Sequence, residues 1–353
     1  MPFRFWRRIR LLPGVTLNLS KSTASLSFGP RGAKYTISPR GNRATAGLPG
    51  TGLFYTVRAP AADRAAARPE IPAHQRLSLG FFRRLVTPRA EAAFVDGLRA
   101  VHEGDIAAAR AAFATAPEQP DATWMAAVIA MHEGELDAAE RDLRAALAAP
   151  DLGALYRKYD VVPTVSLPVT DEITAHVGPR RRGTLLALAQ LLEARGAQRE
   201  ARQTLETLCA DLPDDVVVRA ALADLLVGAA PIPTADAEAA VALAGDIANE
   251  MPAHAALLLS KGRALRALGL DHAAMTIFTA AYRRKKDRPA TLLRQIRYER
   301  ALAYLGVGYT TRARRELEAI YAEAPDFEDV RARLGLGDRT APAQRAATGS
   351  GSR

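Results

Sequence analysis

A pattern of four residues that recurs five times constrains the fold of this 353-residue chain more than any other feature. Each copy has a glycine, an alanine five residues later, a bulky apolar residue four further on, and a small or apolar residue three beyond. Glycine permits a tight turn, alanine lets two helices approach closely, and the bulky residue fills the gap between neighbouring hairpins. The pattern therefore predicts a stack of helical hairpins. The copies are Gly104, Ala109, Phe113, Ala116; Gly134, Ala139, Leu143, Ala146; Gly196, Ala201, Leu205, Leu208; Gly269, Ala274, Phe278, Ala281; and Gly308, Ala313, Leu317, Ile320.

Prolines mark where these helices begin and end. Thr87 and Pro88 predict the N-cap and the first residue of the first helix, because proline is favoured at that first position. Proline also stops a helix, since it lacks the backbone N–H that continues the hydrogen-bond ladder. Four prolines that would close the second helix of a hairpin are Pro117, Pro150, Pro213 and Pro325.

The array extends beyond the five clear copies. A sixth, degraded copy fits residues 216–252, with Ala223 and Ala240 as contacts and residues 228–234 enlarging its turn. Residues 326–334 are predicted to form a final helix that covers the apolar face of the last repeat. The sequence thus predicts six hairpins and a cap.

These features resemble tetratricopeptide repeats, which have a period of about 34 residues. The first-helix pattern of that family is matched best by Gly262 with Leu265 and by Ala301 with Tyr304, and Gly97 matches it in the first copy. A hydrophobic content of 48% with only 6% aromatic residues suits packed helices with small contact residues. The resemblance implies a mainly α-helical solenoid over residues 76–338, which works by binding other molecules.

One stretch, residues 151–182, interrupts the array. Its apolar residues are spaced by Pro163 and Pro168, which is typical of an irregular segment or a hairpin. Long ordered insertions often carry function. The apolar residues are Val161, Val162, Val165, Leu167 and Val169.

The N-terminal 58 residues have a different character. Apolar and polar residues alternate there and turn residues interrupt them, which predicts a small all-β domain. The segment contains ten Lys and Arg residues and no Asp or Glu, so it accounts for the whole net charge of +10. The rest of the chain has 38 basic and 38 acidic residues and is neutral in sum.

The predicted first strand gives this domain a cationic face. Arg4, Trp6, Arg8 and Arg10 alternate with apolar residues, and two turns would present Arg31 and Arg40. Such a face can attract phosphates, and bases can stack on its aromatic ring. The alternative is a solvated charged edge that only prevents aggregation. Candidate ligands are therefore a nucleic acid, an anionic surface or an acidic protein.

The same segment resembles a bacterial family known as domain of unknown function 4236. The resemblance covers about the first 56 residues, and it implies a small β-module without implying any chemistry. The residues that carry it are Phe3-Arg4-Phe5, Pro13-Gly14, Leu17-Asn18-Leu19-Ser20-Lys21-Ser22, Gly29-Pro30-Arg31-Gly32, Pro39-Arg40-Gly41 and Gly47-Leu48-Pro49-Gly50-Thr51-Gly52-Leu53.

The remaining segments are connections. Residues 59–75 are rich in Pro and Ala with scattered charges, which predicts a semi-flexible linker, and residues 339–353 are small and polar, which predicts a disordered tail. No uncharged apolar run approaches about 18 residues, and the basic N-terminus lacks the apolar core of a secretion signal. We therefore expect a cytoplasmic protein.

The resemblance to tetratricopeptide repeats places the first helix of each hairpin on a concave groove. Groove positions in the first two copies are all apolar, so they bind an apolar peptide or are covered by residues 77–86 or by the insertion. Groove positions in later copies are polar, with no obvious carboxylate clamp. The predicted groove residues are Phe94, Leu98, Val101, Trp124, Val128 and Met131, then Gln190, Glu193, Arg263, Arg266 and Tyr298.

The sequence gives little support for metal binding or catalysis. His102 and His132 precede the turn glycine in two successive repeats, but residues one repeat apart are too distant to share a zinc ion. A histidine near a helix C-terminus is explained by the helix dipole. We expect no metal, no cofactor and no enzymatic activity. The leading hypothesis is a scaffold that holds a protein partner in the groove, and the alternative is a nucleic-acid or anionic-surface binder acting through residues 1–58.

Overall fold

The structure, a computed structural model, describes residues 86–159 and 161–336 together with six short strands between residues 19 and 58. The first two strands form an antiparallel pair, and the other four form a four-stranded antiparallel sheet in chain order. The predicted first strand, the linker and the tail lie outside the described residues. The six strands are β1 Leu19–Ser20, β2 Thr23–Ala24, β3 Leu26–Phe28, β4 Ala33–Ile37, β5 Arg43–Gly47 and β6 Phe54–Arg58.

From Arg89 onward the described chain is mainly helical, as the repeating pattern predicts. Six pairs of antiparallel helices follow one another as repeats 1 to 6. The pairs are α1 Arg89–Glu103 with α2 Ile106–Ala114, α3 Pro120–Glu133 with α4 Leu136–Ala148, α6 Arg181–Ala194 with α7 Gln198–Asp211, α8 Val216–Leu226 with α9 Thr234–Ala244, α10 Pro252–Ala267 with α11 Asp271–Arg283, and α12 Ala290–Gly306 with α13 Thr310–Glu323.

The turn glycines behave as the pattern requires. All five have φ between +75° and +88°, which is the left-handed region that only glycine enters without strain. In the degraded fourth repeat the connection between α8 and α9 is longer and has no such glycine. Each turn glycine therefore lies just after a first helix, in a connection of two or three residues.

The alanine and bulky positions of the pattern form the core. In every copy they are at most 2% exposed. The size of the bulky residue also correlates with the identity of the residue sixteen positions earlier, which lies in the first helix. Where the bulky residue is Phe113 or Phe278, the earlier position is Gly97 or Gly262, and a Cβ atom there would lie 2.4 Å or 2.2 Å from the phenylalanine ring. The copies with leucine at the bulky position have alanine instead, at Ala127, Ala189 and Ala301.

The insertion between repeats 2 and 3 forms one short helix and a β-hairpin. Helix α5 spans Ala154–Lys158, and strands β7 (Val165–Pro168) and β8 (Thr174–Val177) pair antiparallel. Most residues of the hairpin are buried, including Leu167 and Val177. The hairpin is therefore part of the core.

Two predicted helix boundaries are wrong. Pro88 has ψ of 145° and is the N-cap residue, so α1 begins one residue later than expected. The final helix, α14, spans only Val330–Arg333, because the residues before it form turns. The short helix still places a buried Val330 beside Leu317 and Ile320 and so covers the end of repeat 6.

Candidate partner-binding surfaces

The apolar groove positions of repeats 1 and 2 do not form an open surface. Phe94, Leu98, Val101, Trp124 and Val128 are all less than 8% exposed. Met131 is half-buried. Since their surroundings belong to the same chain, these residues are unavailable to a partner in this structure.

Helix α5 covers the first part of the groove. The ring of Tyr156 lies edge-on to the rings of Phe94 and Trp124, with centroids 4.9 Å and 6.1 Å away. The buried carboxylate of Asp121 accepts hydrogen bonds from the backbone N–H groups of Gly153 and Leu155, and the Tyr156 hydroxyl donates to the Asp121 carbonyl. Burial raises the pKa of Asp121, although these N–H groups oppose the shift. The first turn of α5 is therefore fixed to the start of α3.

The end of the same segment is fixed to repeat 1. The Tyr159 hydroxyl donates to Glu91 at 2.6 Å, and the Lys158 ammonium lies 2.6 Å from the same carboxylate. Glu91 is itself buried, so its charge needs such partners. Both ends of α5 thus contact first helices of the array.

The hairpin covers the next part of the groove. A cavity of about 40 Å³ separates Trp124 and Met131 on the helices from Leu167 and Val177 on the strands. Gln190 lines this cavity and donates to Glu193 at 3.4 Å. Such a small space holds no peptide, and the hairpin covers side chains that the sequence analysis places in the groove.

The turn of the hairpin ends in an ionic network. Glu172 lies 3.5 Å from the Arg263 guanidinium, which also contacts Glu299 at 2.9 Å and Asp224 at 3.5 Å. Arg266 shares Glu299 at 2.7 Å. Burial disfavours the charge of Arg263, but the three carboxylates outweigh burial and raise its pKa. The two groove arginines are therefore used within the chain.

Tyr298, the last predicted groove residue, is covered by the cap. Its hydroxyl donates to Asp329 at 2.6 Å, and its ring lies edge-on to Phe327 with centroids 5.8 Å apart. Burial and this hydrogen bond raise the pKa of Tyr298. Most of the predicted groove residues are therefore buried or bonded within the chain.

Three large apolar side chains at or near the turns within repeats 5 and 6 are exposed. Leu270 is 50% exposed, Leu305 37% and Tyr309 41%. The turn that holds Leu270 lies against the end of α12, because a Cβ atom on Gly306 would lie 2.1 Å from the Asp271 carboxylate. We call Leu270, Leu305 and Tyr309 the apolar edge.

The apolar edge was not predicted, although the sequence contains a signal for it. Leu270 and Tyr309 directly follow a turn glycine, where earlier copies have Asp105, Glu135 and Ala197. A solvated turn position is polar in the first two repeats and apolar in the last two. This change from polar to apolar distinguishes the turn surface of repeats 5 and 6 from that of repeats 1 and 2.

A second missed feature is electrostatic. Residues 86–250 contain 14 basic and 26 acidic residues, whereas residues 251–336 contain 16 basic and 9 acidic ones. The net charge of zero over residues 59–353 therefore combines an acidic part, residues 86–250, with a basic part, residues 251–336. Four consecutive basic residues, 283–286, lie at the end of α11 and in the loop before α12, and all four are exposed. We call residues 283–286 the cationic loop.

The remaining features concern the two histidines, membrane-spanning helices and the predicted anionic-ligand residues. His102 and His132 are in the last turns of α1 and α3. Within the described residues no group of three or more His, Cys, Asp or Glu side chains could hold a metal ion, and no helix is both long and apolar enough to cross a bilayer. The predicted anionic-ligand residues Arg4, Trp6, Arg8, Arg10, Arg31 and Arg40 lie outside the described residues.

Comparison with known protein families identifies the N-terminal segment. A family described as a protein of unknown function, DUF4236, matches residues 3–56, which confirms the resemblance given by the sequence. The match leaves most of the chain uncovered. No curated protein matches the chain.

Several solved structures are similar to this chain. A thermophilic TPR protein of Thermus thermophilus is 20% identical, with 62% of this chain and 97% of that chain covered and a TM-score of 0.39. A tetratricopeptide repeat protein of Parabacteroides merdae is 14% identical, with 70% and 98% covered and a TM-score of 0.34. The apo quorum sensor NprR of B. thuringiensis is 11% identical, with 72% and 70% covered and a TM-score of 0.43.

Proposed function

We propose that this chain is a non-catalytic cytoplasmic scaffold that holds a protein partner on the apolar edge of repeats 5 and 6. The observation that carries the proposal is the exposure of Leu270, Leu305 and Tyr309 beside a groove that is otherwise closed. Exposed apolar and aromatic side chains grouped at one place are typical of protein contacts. The basic segment 1–58 would act as a tethering module.

The surroundings of the apolar edge suit a binding contact. The His272 ring lies edge-on to Tyr309, and the Arg312 guanidinium lies over the Tyr309 ring at 5.1 Å. These neighbours restrain the tyrosine before any partner arrives, which lowers the entropy lost on binding. Tyrosine is also enriched among residues that dominate binding energy. We expect Tyr309 to contribute most to affinity.

Site-specific photocrosslinking in the full chain tests this proposal. A photoreactive phenylalanine at position 305 should form adducts with one protein in cell extract, and the same residue at position 162 should not. Val162 is a matched control because it is 63% exposed and lies in the insertion. Tyr309→Ala in the position-305 chain should abolish the adduct. Equal adducts from both positions, or none from position 305, would refute the proposal.

A second function concerns residues 1–58. Ten basic residues with no acidic residue favour an anionic ligand, either a nucleic acid or an anionic surface. Neutralising Arg4, Arg8 and Arg10 should abolish salt-dependent retardation of DNA or RNA by the full chain. Retardation that does not weaken with salt, or that is absent in the unmodified chain, would exclude nucleic-acid binding through this segment.

A further inference from the structure

The cationic loop presents four positive charges in succession to solvent. Arg283, Arg284, Lys285 and Lys286 are all exposed, and none of the four has a carboxylate partner within the described part of the chain. Most other arginines of repeats 5 and 6 are paired, as Arg297 is with Glu316 and Glu323. The loop therefore holds four positive charges that are not paired with a carboxylate of the described residues.

The base of the loop is well fixed. Arg288 is 9% exposed and donates to the Asn249 side-chain oxygen at 2.8 Å and to its carbonyl at 3.3 Å. Asp287 has φ of +60°, a left-handed conformation that aspartate tolerates better than most residues, and it reverses the chain before Arg288. The Lys285 ammonium lies over the Tyr282 ring at 4.7 Å. The charges therefore stand on a restrained loop.

Acidic loops lie on both sides. The preceding connection, residues 245–251, holds exposed Asp246 and Glu250, and the bond between Arg288 and Asn249 places it beside the cationic loop. The following connection, residues 324–329, holds Asp326 and Glu328. Its Phe327 ring lies 5.5 Å from the guanidinium of Arg294, which belongs to the helix that begins just after the cationic loop. Acidic residues therefore lie in the loops on both sides of the cationic loop.

This pattern of charge selects the kind of ligand. A rigid duplex or a flat bilayer that reached the loop would also bring phosphates towards the acidic loops on either side, and like charges in juxtaposition oppose binding. A short flexible peptide can place two to four carboxylates on one loop and avoid its neighbours. We infer that the cationic loop binds a short acidic segment of a protein. This surface is distinct from the apolar edge, so each proposal can fail alone.

Fluorescence anisotropy with the full chain tests the inference. The probe is a labelled ten-residue peptide with four consecutive glutamates, and an uncharged peptide of equal length shows background. The loop variant combines Arg283→Ser, Arg284→Ser, Lys285→Ser and Lys286→Ser. Because an exposed ion pair contributes about 0.2–1 kcal/mol, losing four should weaken binding about tenfold. Circular dichroism should show unchanged helix content, since all four side chains are exposed.

A matched variant separates the loop from overall charge. Arg89, Arg157, Arg180 and Arg199 are exposed, have no ion-pair partner within the described residues, and lie in repeats 1 to 3 and the insertion. Changing these four to serine removes the same charge and should weaken peptide binding less than about twofold, since these arginines are scattered over the surface. Residues 1–58 are present in both variants, so their contribution cancels. Equal weakening in both variants, or none in the loop variant, would overturn the inference.

Duplex DNA and anionic vesicles complete the test. A 20-base-pair duplex and vesicles of phosphatidylserine should bind both variants equally, through residues 1–58 if at all. Loss of duplex or vesicle binding in the loop variant alone, with peptide binding unchanged, would show that the loop binds a polyanion of another class and would contradict an acidic peptide.

Discussion

Glu172, in the turn of the insertion hairpin, lies 3.5 Å from Arg263 in the first helix of repeat 5. The hairpin leaves the array after repeat 2, so this contact spans three repeats. The hairpin therefore extends from the end of repeat 2 to the first helix of repeat 5. Together with α5, the hairpin covers predicted groove residues of repeats 1 to 3, whereas Leu270, Leu305 and Tyr309 in repeats 5 and 6 are exposed.

Arg263 should be the most sensitive charged residue of this network. Arg263→Gln would leave Glu299, Glu172 and Asp224 close together without their shared cation. Removing one partner of a buried ion network destabilises by about 3–5 kcal/mol. Urea unfolding should therefore give a much lower free energy of unfolding for the variant.

Arg314→Gln provides the control for that measurement. Arg314 pairs with Glu318 one helical turn away, and both side chains are more than half exposed. An exposed pair contributes about 0.3–0.5 kcal/mol, so this change should be barely measurable. Similar losses of unfolding free energy in the two variants would mean that the buried network contributes no more to stability than an exposed ion pair.

Gly262→Ala should destabilise the protein although alanine favours helices. The new methyl carbon would lie 2.2 Å from the ring of Phe278, which is fully buried. Helix propensity returns about 1 kcal/mol, but overpacking of a dense core costs about 1–3 kcal/mol or more. We expect a lower midpoint of thermal unfolding than in the unmodified chain.

The double variant Gly262→Ala with Phe278→Leu tests the reason. It reproduces the alanine and leucine combination found in three other copies, for example at Ala127 and Leu143. Stability should rise above that of Gly262→Ala alone. If the second change lowers stability further, the close contact is not the cause.

Stability should fall as the pH is lowered from about 7.5 to about 5.5, and His176 contributes to the fall. Burial lowers the pKa of His176 in the folded state below about 6.5, so the unfolded chain binds the proton more readily. The penalty is absent above the unfolded pKa and grows as the pH falls towards the folded one. His254 is shifted in the same direction, mainly by burial.

Denaturant unfolding of His176→Gln at the two pH values checks this contribution. The glutamine cannot take up the proton, so the loss of stability on acidification should be smaller than in the unmodified chain. His132→Gln changes an exposed side chain and should keep the original loss. Identical losses in all three proteins would exclude a role for the hairpin histidine.

Cys209 should react slowly with thiol reagents in the folded protein. Burial raises the pKa of its thiol to about 11, so about one molecule in a thousand is a thiolate at pH 8. Iodoacetamide labelling should be about a hundredfold faster in the unfolded chain, where the thiol has its ordinary pKa. Fast labelling under native conditions would show that α7 opens readily or that the thiol is exposed.

The sequence predicts the repeats well because their determinants are local. The turn glycines and the Ala and bulky positions have fixed spacings, and each needs only its own hairpin or the next one. The helix ends at Pro88 and near Val330 were misplaced, because boundaries depend on backbone turns that leave weak signals.

The sequence indicates that the insertion is one of the segments that could cover the groove, but it does not decide among the alternatives, because the cover depends on contacts distant in sequence. The apolar side chains of Val165, Leu167 and Val177 do not indicate where the hairpin packs. Only the folded chain shows that they are buried against the array. The contact of Glu172 with Arg263 joins residues far apart in the chain without any motif. The four consecutive basic residues of the cationic loop are evident in the sequence. The net charge of residues 59–353 is zero, so that sum alone does not indicate a local positive surface.

Hydrogen exchange of the full chain tests the closed groove most directly. Backbone amides in Val165–Pro168 and Thr174–Val177 should exchange as slowly as those of helices α3 and α6, because the strands pair with each other and are buried against the array. Exchange of the hairpin within seconds, beside slowly exchanging helices, would mean that the groove is open in solution and would contradict this account.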